Sequence, residues 1–151
     1  MTEIFLVDDD PGSLKVMNQA LHSDYTSRFA TSGEQALQIL ETYKPELILL
    51  DMVMPGMDGT EVLQKIKDNP RIREIPVIFV TAQTDAESET RALTSGADDF
   101  IHKPINRDVL NARIAVHLER CRLLKLTEAQ RDQLAESVEE LNAFAYSVSH
   151  D

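Results

Sequence analysis

Apolar residues gather in three uninterrupted runs, residues 4–7, 47–50 and 77–80 (Ile4 to Val7, Leu47 to Leu50, Val77 to Val80). Runs of this length without internal polar positions suit strands of a parallel sheet buried on both faces. Weaker strand candidates lie at 27–30 and 99–102. Between the runs stand helix starts. Asp10-Pro11 offers a cap followed by proline at the first helical position. Ser32 with Gln35, Asp58 with Glu61, and Thr84 with Glu87 have capping-box spacing or a near variant. The resulting order, βαβαβαβαβα, predicts an α/β fold with a doubly wound parallel sheet and helices on both faces. Ligands of such sheets sit beyond the carboxyl ends of the strands.

After Pro104 the pattern changes. All five Gly and all six Pro lie at or before that residue, and the 47 residues beyond it contain neither. A single helix over 107–149 would be about 64 Å long at ~1.5 Å per residue. Leu110, Ile114, His117, Cys121 and Leu124 follow steps of 4, 3, 4 and 3, and Leu134, Val138, Leu141, Ala145 and Val148 repeat the rhythm. Polar Thr127 and Arg131 join the two stretches only through two successive steps of three, a heptad discontinuity. A long helix of this kind predicts a coiled coil, and a parallel homodimer along residues 110–148. Cys121 reads as a small seam residue rather than a nucleophile.

Charge and cysteine content narrow the classes. The formal net charge is −11; residues 1–104 hold 9 basic and 18 acidic groups, and residues 105–151 hold 6 and 8. No basic patch of the kind that binds phosphate backbones is present, so no nucleic-acid partner is expected. No apolar run approaches the ~18 residues of a membrane helix, and the first residues lack the basic region of a secretion signal. One cysteine cannot form an internal disulfide. The expected compartment is the cytoplasm.

The candidate chemistry lies at the strand ends. The first strand runs into Asp8, Asp9 and Asp10, the third into Asp51, the fourth into Thr81, and the fifth through His102 to Lys103 and Pro104. Clustered carboxylates are costly to ionise together unless a cation neutralises them. Mg2+, a hard ion that takes a few carboxylates plus water and phosphate oxygens, suits such a set. A carboxylate beside that ion is a phosphoryl acceptor in waiting, with a lysine and a hydroxyl to meet the phosphoryl oxygens.

These residues resemble the receiver domain of two-component response regulators. The matching text is Val7-Asp8-Asp9-Asp10, then residues 50–59 (Leu50 through Asp51, Met52, Val53, Met54 and Pro55 to Gly59), then Val80-Thr81-Ala82, then residues 96–104. The intervals are 42 residues from Asp9 to Asp51, 30 to Thr81 and 22 to Lys103. The resemblance covers residues 1 to 120 and implies a flavodoxin-like five-stranded sheet of order 2-1-3-4-5. It makes Asp51 the phosphoacceptor, with Asp9, Asp51 and the Val53 backbone carbonyl on Mg2+ and Asp8 acting mainly through water. Thr81 and Lys103 would contact the phosphoryl group. Thr81 and Phe100 would form the switch pair, Phe100 standing where the family often has Tyr. A cis bond before Pro104 and a phosphohistidine donor protein are also implied.

Two rival readings of this site remain. A haloacid-dehalogenase-like phosphatase also uses an Asp after a parallel strand, but expects a second Asp where Val53 stands. A metal-free pseudo-receiver would serve only protein contacts. The last residues, 141–151, are similar to the start of the phosphoacceptor box of sensor histidine kinases, with Ser149-His150-Asp151 after an amphipathic lead-in. Residues 121–151 are therefore expected to be a coiled-coil linker and the start of a kinase dimerisation helix, with His150 its phosphoacceptor. The segment holds no separate turnover enzyme beyond the receiver's own phosphorylation chemistry, and the kinase core is expected to lie beyond it. The alternative is a stand-alone response regulator that acts only by protein–protein interaction.

Overall fold

The three apolar runs form the middle of one parallel sheet, and each is longer than its apolar part. In chain order the strands are β1 (Thr2–Val7), β2 (Tyr25–Ala30), β3 (Leu47–Asp51), β4 (Val77–Thr81) and β5 (Asp99–His102). The helices are α1 (Pro11–Ala20), α2 (Gly33–Leu40), α3 (Gly59–Lys67), α4 (Ala86–Thr94) and α5 (Arg107–His150). The computed structural model describes the backbone of residues 1–83 and 85–150. Thr84, Asp151 and the side chains of Ser149 and His150 lie outside the described residues, and with them the expected Thr84 cap and the His150 imidazole.

The sheet order is β2-β1-β3-β4-β5, a flavodoxin-like arrangement in which all pairs are parallel. β3 and β4 are buried at every position, whereas β2 at one edge is largely exposed. Burial on both faces is why the inner strands carry no polar alternation, and exposure is why β2 gives so weak a signal. On one face Phe5, Val7, Ile48, Leu50 and Phe79 pack with Ala36 and Leu40 of α2 and Val62, Leu63 and Ile66 of α3. On the other, Ile4, Leu6, Leu49, Ile78 and Val80 pack with Leu14 and Met17 of α1 and with Leu110 and Ile114 of α5.

Register aligns the strand ends. Val7 lies beside Leu50, Asp51 beside Val80, and Thr81 beside His102. The residues that follow or finish these strands therefore emerge along one rim. Caps fix the helices that start there: Asp10 accepts from the Gly12 N–H, Ser32 from Gln35 and Asp58 from Glu61. The Gln35 side chain reaches one residue past the cap, its Oε1 accepting from the Thr31 N–H at 2.7 Å.

The seam expected along α5 needs a correction at its start. Leu110 and Ile114 are fully buried against their own sheet, and His117 is buried with Nε2 3.0 Å from Asp99 Oδ2. That sheet face has α1 alone as its other cover, so the apolar positions at the start of α5 are taken by the chain's own core. They are not open to a partner helix. The chain divides into two compact units, Met1–Leu118 and Glu119–Asp151. In the second unit the described apolar side chains from Leu123 to Val148 are exposed. Among the described residues, no helix is long and apolar enough to cross a membrane.

Gly59, the first residue of α3, sits where no side chain fits. A Cβ there would run into the carbonyl oxygen of Asp51 and lie 2.8 Å from Met52 Cα. Alanine would otherwise favour a helix by up to about 1 kcal/mol, but forcing it against backbone costs about 1–3 kcal/mol. Gly59→Ala is expected to lower the melting temperature. A variant that melts at or above the parent would contradict this close approach.

Candidate functional site

Asp8, the residue after β1, is completely buried, and both of its carboxylate oxygens are used. Oδ1 accepts from the Asp10 N–H at 2.9 Å and Oδ2 from Lys103 Nζ at 2.9 Å. Asp51, at the end of β3, is 7% exposed; its Oδ1 accepts from the Val53 N–H at 3.2 Å and its Oδ2 lies 3.8 Å from Lys103 Nζ. Asp9 is exposed beside them. Oxygens of Asp8, Asp9 and Asp51 all lie within 4.8 Å of one another. The sequence placed these three acids at successive strand ends, and the fold brings them together.

Among the described residues, one cation, Lys103, lies against these carboxylates. Burial works against the Lys103 charge, but the Asp8 hydrogen bond and the charges of Asp51, Asp8 and Asp10 outweigh it, and its pKa rises. The Lys103–Pro104 bond is cis. Ser13 was missed from sequence: its Oγ accepts from Lys103 Nζ at 3.2 Å. Its only sequence signal is its place three residues after the Asp10 cap, where its hydroxyl also donates to Asp10 Oδ2 at 3.2 Å.

Thr81, at the end of β4, is buried, and its hydroxyl oxygen accepts from the Gln83 N–H at 3.0 Å. Phe100 on β5 is half-buried against the α2–α3 side of the core and meets the His102 ring edge-on at 5.3 Å. His102 in turn pairs with Glu89 of α4, Nε2 to Oε1 at 2.9 Å. No local spacing joins these two residues, which lie 13 positions apart on α4 and β5. Val53 is half exposed, next in line to the acids.

Electrostatics decide what this arrangement can hold. Burial first, and then the charge of Asp8, push the Asp51 carboxyl from 3.8 up to about 7, against the lowering effect of Lys103 and the Val53 N–H. Three converging carboxylates and one ammonium leave the cluster short of positive charge. A divalent cation with oxygen ligands fits this donor set. Because the folded value of Asp51 lies above the unfolded one, its ionisation costs stability progressively as pH rises from about 4 through 7. In metal-free buffer Asp51→Asn is therefore expected to stabilise the protein. The gain should grow from about pH 4.5 to roughly 1–3 kcal/mol at pH 8, read by thermal melting. A gain that shrinks as pH rises would contradict the assignment.

Comparison with known proteins identifies the family. The family model for the response regulator receiver domain matches residues 4–115. A "Probable cyclic di-GMP phosphodiesterase" of Vibrio cholerae is 40% identical over 135 residues, 89% of this chain and 31% of that protein. Response regulator PleD of Caulobacter vibrioides is 39% identical over 112 residues, 74% of this chain and 25% of that protein. The chain thus spans a third or less of these curated relatives. Among solved structures, the signal receiver domain of a signal transduction histidine kinase from Syntrophus aciditrophicus superposes with a TM-score of 0.69. It is 35% identical, with 80% of this chain and 89% of that one covered. The chain belongs to the response regulator receiver domain family, the two-component signalling modules that are phosphorylated on aspartate.

Proposed function

We propose that Asp51 is the phosphoacceptor and that the cluster works with Mg2+. The observation that carries this is the convergence of three carboxylates on one rim with a single lysine to balance them. Asp9 and Asp51, with the Val53 carbonyl, would hold the ion directly and Asp8 through water. When bound, Mg2+ supplies positive charge to the carboxylates and to the phosphoryl oxygens. An Asp51 oxygen attacks the phosphorus of a phosphohistidine donor protein. The new O–P bond replaces the P–N bond, whose electron pair leaves with the imidazole. The Lys103 ammonium and the Thr81 hydroxyl meet the phosphoryl oxygens, and Thr81 with Phe100 forms the switch pair.

The reading extends to output. Residues 1–120 form the cytoplasmic receiver module. Residues 121–151 are a helical linker that associates as a homodimer and carries the phosphorylation state to a histidine-kinase core. The Ser149-His150-Asp151 text supports this, with His150 as the kinase's own phosphoacceptor, as does the likeness to a histidine kinase's receiver domain. A second reading keeps the receiver and changes the effector. The match to the "Probable cyclic di-GMP phosphodiesterase" runs over 135 residues and so beyond the receiver family match. A stand-alone regulator that acts by protein contact is the third form of output.

Treatment with acetyl phosphate and Mg2+ should add one phosphoryl group, located at Asp51 by mass spectrometry. Labelling should disappear in Asp51→Asn and on chelation of the metal. Unchanged labelling in either case would overturn the assignment. In a chain extended through a kinase core, ATP should place acid-labile phosphate on His150, and labelling of another histidine instead would remove His150 from that role.

A further inference from the structure

We infer that the homodimer seam of the second unit keeps Leu134, Leu141 and Val148 of the stripe described above but replaces its Leu124, Val138 and Ala145 by Leu123 and Phe144 on the neighbouring edge, paired in parallel with the same seam of a second copy. The inference rests on the dimer reading above and specifies its surface. The rival stripe loses its beginning, because Leu110, Ile114 and His117 are buried in the receiver core. It also needs a heptad break near Leu124 to join its two halves.

The second stripe needs no break. Numbered as heptads, its a positions are Arg120, Thr127, Leu134, Leu141 and Val148, and its d positions are Leu123, Gln130, Ser137 and Phe144. Each of its apolar members is at least half exposed: Leu123 50%, Leu134 66%, Leu141 67%, Phe144 67% and Val148 62%. The same seven-residue count, taken back along the sequence, lands on Val116 and Val109, which are also exposed. Leu124, Val138 and Ala145 fall at the e positions and widen the apolar edge.

Charge selects a second copy, in parallel, as the occupant. In a parallel pair, an a side chain enters a hole bounded partly by the partner's preceding g residue. For Arg120 that residue is Glu119 of the partner, so the one charged a layer acquires two reciprocal ion pairs. Glu119 is exposed and held by its own Arg122, so it already stands on the open surface. The g-to-e contacts between copies would be Glu119 with Leu124, Leu126 with Arg131, Gln133 with Val138 and Glu140 with Ala145. None of them opposes like charges. The acids Asp132 and Glu139 lie at the outer f positions and Glu136 at an outer c position. A long arginine at a also reaches water more easily from a two-stranded seam than from a wider bundle.

The experiment uses the full 151-residue chain in a Cys121→Ser background. Sedimentation equilibrium across the micromolar range should give twice the chain mass of 17.0 kDa. Leu141→Glu, an exposed position in the single chain, should weaken association roughly tenfold or more. Mild oxidation should cross-link Leu123→Cys and Phe144→Cys, each with itself, well ahead of Leu124→Cys and Ala145→Cys. Self-pairing at both ends of the stripe is open only to parallel helices. A monomer at all concentrations, or a trimer or tetramer, overturns the inference together with the dimer reading. A dimer that cross-links best at Leu124 and Ala145, or at neither pair, overturns this stripe alone. Phosphorylation of Asp51 is measured separately and stands or falls by itself.

Discussion

The constraint on which the site depends is the crowding of like charge at one rim of the sheet. Asp8 is wholly buried and Asp51 nearly so, and a buried carboxylate without compensation is costly. The molecule tolerates the pair because the surrounding frame leaves no room for relaxation. β1, β3 and β4 are packed on both faces, their register fixes the heights of Asp8, Asp51 and Thr81, and Gly59 brings α3 against the Asp51 carbonyl. Lys103 reaches in from the end of β5 to relieve part of the charge. The unrelieved charge is what the proposed cation and phosphoryl group would meet.

β5 connects this rim to α5. Beyond its final residue stands Lys103, bound to Asp8, and at its first residue stands Asp99. Asp99 accepts from Arg113 at 2.9 and 3.0 Å and pairs with His117 at 3.0 Å. Burial alone would raise the Asp99 pKa, but the hydrogen bonds from His117, the Phe100 N–H and Arg113 outweigh it and keep the carboxyl below its ordinary value. Phe100 and His102 lie between, and His102 ties the strand to Glu89 of α4. A four-residue strand and the lysine that follows it thus touch the acid cluster, α4 and the start of α5.

The fold was largely legible because the inner strands are buried on both faces, and such strands leave unmistakable apolar runs. Asp8, Asp9, Asp51, Thr81 and Lys103 were legible for a related reason: residues that end neighbouring parallel strands share an edge. β2 was faint because an edge strand alternates poorly when most of it is exposed. Ser13 and the His102–Glu89 pair were invisible because they depend on how helices dock, which no local spacing records. The start of α5 was misread for the opposite reason. Leu110, Ile114 and His117 follow a seam rhythm faithfully, but rhythm does not say whether a helix faces its own sheet or another chain. Only the packing of α5 against Ile4, Leu6 and Val80 decides it.

The central claim is that Asp51 is a carboxylate held at unfavourable charge until a cation arrives. Carbon-13 NMR titration of the Asp51 carboxyl, first without metal and then with saturating Mg2+, tests it most directly. A midpoint near 7 is expected in the metal-free protein, with a fall of that midpoint on addition of Mg2+. A carboxyl that titrates at the ordinary value of 3.8 and ignores the ion would contradict it.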